Sequence, residues 1–213
     1  ESVPITASDS IVESEFSQYK EAIEPDTSVT LNALATASTT SVTIGTITIQ
    51  SGQYFPRGAS YVVTTKPDGG YAYYNNGVLT LDNFMYWERS GKDAINADGD
   101  LKITLIGTNG IYIDENFTSN GNGIDVTGNL TFTGSGYLTV SSRSYNGITV
   151  SGNIHFAQTG KVTVNTNYGA AIYCNGAVTI DGSLSATSVT NGMGVFSKNT
   201  LTMNSGTVNI SAD

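Results

Sequence analysis

One cysteine, one histidine, one tryptophan and four prolines are all that the 213 residues contain, and lysine plus arginine number only nine. A single cysteine, Cys174, excludes an intramolecular disulfide framework. Eighteen acidic residues outweigh the nine basic ones, giving a net charge of −9. That balance argues against nucleic acid, whose phosphates need a basic footprint, and against anionic membrane surfaces. No apolar run approaches the ~20 residues needed to span a membrane, so membrane insertion is not expected. The opening residues, ESVPITASDS, lack the basic and apolar regions of a secretion signal.

What the chain has in quantity is Thr, Ser, Asn, 24 Gly and twelve Tyr, with only 13% charged residues. Such compositions are common on exported envelope proteins. The expectation is a secreted, extracellular or cell-surface protein whose leader has already been removed.

The stretch GIDVTGNLTFTGSGYLTV, from Gly123, is nearly repeated as GITVSGNIHFAQTGKVTV, from Gly147. Five copies align, opening at Ala94, Gly123, Gly147, Ala171 and Gly194. Within each copy apolar residues alternate over very short spans, a strand signal and not a helix signal. No copy buries its own inner face, so the copies must stack, about 4.8 Å apart, into continuous apolar ladders. The expected columns are Ile95/Ile124/Ile148/Ile172/Val195, Leu101/Leu130/Ile154/Val178/Leu201 and Ile103/Phe132/Phe156/Ile180/Met203. A fourth is Ile111/Leu138/Val162/Leu184/Val208, and Cys174 falls in an inward column with Ala97, Val126, Val150 and Ser197. Gly99, Gly128, Gly152, Gly176 and Asn199 mark one corner, read as a positive-φ turn. Stacked Asn129 and Asn153 beside it suit an amide ladder. The fold class expected is all-β, a right-handed parallel β-helix (β-solenoid) of five regular coils over 94–213.

Residues 41–93 read as irregular entry coils. TSVTIGTITIQ alternates as a strand, and YAYYNNGVLTL carries the Asn-Gly signal of a hairpin. Residues 1–40 read as an N-terminal extension with a short helix over 11–24. Ser10 and Glu13 form a capping box, and Val12, Phe16, Tyr19 and Ile23 make one apolar stripe. That stripe must dock on its own solenoid or on a neighbour's. At the other end, Val208 and Ile210 lie on the ladder edge of the last coil, a template for another chain. Head-to-tail association of this kind builds filaments, so self-association into a homopolymer is one expectation, with Val12, Phe16, Tyr19, Ile23, Val208 and Ile210 at the assembly interface. A chain that belongs to something longer is the competing explanation.

Chemistry is sparse. His155 has no acidic neighbour in its outward column Lys102/Thr131/His155/Thr179/Thr202, and no nucleophile–base grouping has a rationale in the sequence. Basic residues on the coils are scattered and the last three coils contain only Asp181 and Asp213 as acids, which argues against a polysaccharide lyase or hydrolase and for a non-enzymatic role. Asp98, Asp100 and Asp125 cluster near the first coils and are candidate calcium ligands, although a solvated acidic rim competes with that reading. Tyr71, Tyr73, Tyr74, Tyr86 and Trp87 crowd the entry region, where rings with polar tips suit sugar stacking or an interface.

GVLTLDNF, together with repeats of the form G-I-x-V-x-G-x-L-T, resembles bacterial β-helical surface proteins of the carbohydrate-binding-domain-containing type, over roughly residues 70 to 213. The resemblance implies a secreted, non-enzymatic surface role, with polysaccharide as a possible ligand and calcium as an occasional cofactor. Three functions remain in play: a self-assembling structural or adhesive subunit of a filament, sheath or surface layer; a cell-surface carbohydrate-binding module; and a lyase-like enzyme.

Overall fold

The computed structural model describes residues 41–113, 121–143 and 145–212. The proposed helix over 11–24, with Val12, Phe16, Tyr19 and Ile23, lies outside the described residues. Within them the chain forms short β-strands and no helix. The strands belong to three sheets of seven, eight and six members, stacked in parallel as a β-solenoid of about five turns.

One coil shows how the sequence produces this. Ile124–Val126, Leu130–Gly134 and Tyr137–Ser142 are successive strands, each joining a different sheet. The next coil repeats them as Ile148–Val150, Ile154–Phe156 and Lys161–Thr166, residue opposite residue. The pairs Ile124↔Ile148, Leu130↔Ile154 and Leu138↔Val162 place every alternate side chain inward, where it is buried. Phe132 and Phe156 stack within this core, ring centroids 5.1 Å apart. Each fully buried large apolar side chain contributes about 1.5–3 kcal/mol, and that burial holds one coil on the next. Cys174 is fully buried opposite Val150, and burial raises its thiol pKa, so it is a packing residue.

Three details depart from the sequence reading. The fourth column is shifted in its first member: Ile111 stands opposite Val140, and Leu138 faces Asn109. Asn109 is buried where an aliphatic residue was expected, and it bridges three coils. Its Oδ1 accepts the Phe84 N–H at 2.9 Å, and its Nδ2 donates to the carbonyls of Ile106 and Tyr137, both at 3.1 Å. Second, residues 41–50 are not one strand. Val42–Ile44 and Ile47–Ile49 fold back antiparallel about Gly45, whose φ is +56°.

Third, of the first corner's glycines only Gly99 has positive φ, at +95°. The others are required by close stacking: a Cβ on Gly152 would lie 2.6 Å from the Gly128 carbonyl oxygen, and one on Gly176 would lie 2.4 Å from that of Gly152. The Asn ladder beside this corner is present and longer than expected. Asp100 Oδ1 accepts the Asn129 N–H at 2.7 Å, Asn129 Oδ1 that of Asn153 at 2.9 Å, and Asn153 Oδ1 that of Ala177 at 2.8 Å.

Ahead of the regular coils, Tyr71–Asn75 and Val78–Asp82 form the hairpin, turning through Asn76 and Gly77 at φ +45° and +81°. Parallel stacking already begins there, since Val78–Asp82 pairs with Leu101–Ile106 and Met85–Glu88 with Thr108–Ile113.

Candidate functional site

The outer face of the six-stranded sheet is the most distinctive surface. Register places Trp87, Tyr112, Ser141, Asn165, Thr187 and Ser211 in one outward row. A parallel row holds Met85, Gly110, Thr139, Thr163, Ser185 and Asn209. Beyond the aromatic end these two rows carry hydroxyls and amides.

That aromatic end is built by a glycine. A Cβ on Gly110 would lie 2.5 Å from Tyr112 Cε2 and 2.7 Å from Met85 Sδ, so only Gly lets the Tyr112 ring fold back over the strand. Trp87 stacks on that ring, centroids 5.3 Å apart and planes 21° from parallel, and remains 47% exposed. Gly58, Ala59, Met85, Trp87 and Arg89 line a depression of about 210 Å³ beside it. A second depression, of about 220 Å³, lies at the start of the same sheet's later strands, bounded by Tyr137, Lys161, Ser183 and Thr207. Tyr137 is 58% exposed.

The expected aromatic cluster is only partly a surface. Tyr74 belongs to the entry coils' core, its hydroxyl accepting the Gly77 N–H at 3.1 Å, whereas Tyr71 is buried outside that core, with Lys66 Nζ over its ring. Tyr73 stacks on Tyr54 with centroids 4.4 Å apart, and Tyr54 meets Tyr71 edge-on. Tyr86 turns inward and donates to Glu88 Oε2 at 2.8 Å. Burial, then the Glu88 carboxylate, raises the Tyr86 pKa strongly, so this phenol stays neutral. Glu88 is itself buried and also receives the Ser90 N–H and hydroxyl, a polar knot beneath the Gly45 hairpin. Of the five rings singled out in the sequence, Trp87 alone is broadly exposed on the candidate face. Tyr112 and Tyr137 were missed. Both occupy outward places in the alternation, Tyr112 within GIYI and Tyr137 ahead of LTV, and the mis-set first member of the fourth column hid their common face.

The acidic candidates separate. Asp98 Oδ1 accepts the Thr127 hydroxyl at 2.9 Å, and Asp100 anchors the Asn ladder. Asp125 takes the Asn122 side-chain amide at 2.7 Å, and burial, then the nearby Asp93 charge, raises its pKa. Among the described residues no three His, Cys, Asp or Glu side chains come together to hold a metal ion. Asp114 and Glu115, also acidic and nearby in the sequence, lie outside the described residues.

His155 does have an acidic partner, one coil on and outside its own column. Its Nε2 lies 2.5 Å from Asp181 Oδ2, and Asp181 also accepts the Asn204 amide at 2.9 Å. These bonds, the imidazole first, lower the Asp181 pKa. Val208 and Ile210 sit in register opposite Leu184 and Ala186 on the last described strand, with Ile210 39% exposed.

No protein-family model matches this chain, and no curated protein or solved structure matches it either.

Proposed function

We propose that the protein is a secreted, non-enzymatic glycan-binding solenoid of the cell surface, right-handed as parallel crossovers in one sheet almost always are. The observation that carries this reading is the outer face of the six-stranded sheet: a Trp87–Tyr112 platform opening onto rows of hydroxyls and amides. Aromatic rings receive the apolar faces of sugars, and short polar side chains on a rigid sheet meet their hydroxyls at fixed spacing. Affinity electrophoresis against a panel of plant and microbial polysaccharides tests it. Wild type is expected to be retarded by at least one. Trp87→Ala should weaken that binding about tenfold, or ~1.4 kcal/mol, with unchanged circular dichroism. Failure of every polysaccharide to bind overturns the reading.

A structural, self-associating role is supported by a different observation. Leu201 and Met203 continue the ladders of Val178 and Ile180, yet are 49% and 53% exposed, whereas Val178 and Ile180 are buried. Apolar side chains on an exposed strand edge accept another coil, from further chain or from a second copy, and a second copy supplying it would make the protein a filament or sheath subunit. Sedimentation over a concentration series should show growing assemblies that Leu201→Asp combined with Met203→Asp abolishes. A single species at all concentrations retires this reading.

A further inference from the structure

The second depression on the glycan face has a chemistry of its own, and the argument rests on the glycan-binding reading above. Tyr137 and Lys161 begin adjacent strands, and because Leu138 pairs with Val162, their side chains stand side by side on the outer face. Tyr137 is not among the ring pairs or the cation–π contact formed by the described residues, in contrast to Tyr54, Tyr73, Trp87 and Tyr112. Its ring is open to a ligand. The Lys161 side chain is exposed and has no hydrogen-bond or ion-pair partner among the described residues. Ser183 follows Lys161 in register, and Thr207 and Asn209 complete the depression's polar wall.

Charge points to the ligand. The chain carries −9 overall, yet among the described residues no outward position on this sheet is Asp or Glu. Its one carboxylate, Glu88, points inward and is buried. The other two sheets carry outward acids, Asp125 on one and Asp82 on the other. An unpaired ammonium beside an open ring, on the acid-free face of an acidic protein, favours an anionic sugar.

We infer that Tyr137 and Lys161 form a subsite for a uronate residue of an acidic polysaccharide. The pyranose ring lies on Tyr137, its carboxylate pairs with Lys161 Nζ, and its hydroxyls meet Ser183, Thr207 and Asn209. No covalent step is involved.

Titration calorimetry with an oligouronate and with its methyl ester tests this, because esterification removes the charge and leaves the sugar chain. Wild type should bind the uronate more tightly than the ester, with the preference shrinking as salt rises. Lys161→Gln should weaken uronate binding about two- to fivefold, the size of an exposed ion pair, and leave ester binding unchanged. Tyr137→Ala should weaken both ligands by about two- to tenfold. Both side chains are exposed, so thermal melting should match wild type, and this separates binding from folding. Equal binding of uronate and ester, insensitive to Lys161→Gln, overturns the subsite and leaves glycan binding standing. If neither ligand nor any neutral polysaccharide binds, the glycan reading itself has failed and the subsite falls with it.

Discussion

Single residues on this solenoid are judged by the residue one coil above and the residue one coil below. Asp125 stands between Asn96 and Thr149 in its sheet, partly buried and close to Asp93. Its pKa is raised in the fold, so the folded protein takes up a proton before the unfolded chain does. The cost of its charge is therefore present at neutral pH and is relieved as pH falls through the raised value toward the ordinary carboxylate range. Asp125→Asn keeps an oxygen for the Asn122 amide and removes the charge. It should raise stability at neutral pH, by under ~1 kcal/mol because the group is only partly buried, and the melting temperature with it. Melting curves across pH should show the gain shrinking in acid; a gain constant with pH would assign the effect to something other than this charge. Asp181 behaves in the opposite sense. Its lowered pKa makes the His155 and Asn204 contacts a stabilising feature above the ordinary carboxylate range, one lost as pH falls through the lowered value.

At the scale of the coil, the corner glycines show where sequence reasoning reached the right place by the wrong cause. Alternation made the strands legible, and the ladders through Ile124, Leu130 and Phe132 stand as read. Gly128, Gly152 and Gly176 were legible as a corner, yet the physical demand is the approach of backbone to backbone and not a left-handed φ. Substituting Gly152 with Ala therefore tests crowding between coils. Its Cβ would meet the Gly128 carbonyl and Asn129 Oδ1, and the expected loss is about 1–3 kcal/mol, several degrees in melting temperature. Ser151→Ala, at an exposed place on the same corner, should cost under ~0.5 kcal/mol. If the two substitutions cost the same, the corner is looser than this packing implies. Asn109 was illegible for a related reason. A buried amide satisfying three coils at once looks, in one dimension, like a polar interruption of a strand, and the alignment moved past it to Ile111.

For the molecule as a whole, the sequence disclosed the architecture more readily than the site. Ladders are periodic, so one coil announces the next. A binding face is the set of outward exceptions to that period, and it emerges only when the register is known to the residue. Trp87 was visible by its rarity, whereas Tyr112 joins it only because Met85–Glu88 pairs with Thr108–Ile113. Lys161, one of several basic residues scattered along the chain, gains meaning once it is placed beside Tyr137 on a face without carboxylates.

The coil spacing carries a genetic consequence. Ile124, Ile148 and Ile172 hold equivalent places, each pair joined in register across 24 residues of chain. An in-frame tandem duplication of one such unit would add a coil that repeats the same inward pairs, and would lengthen the outer face of the six-stranded sheet by one strand, about 4.8 Å. Copy number is thus a dial on the length of that face, set in steps of one coil.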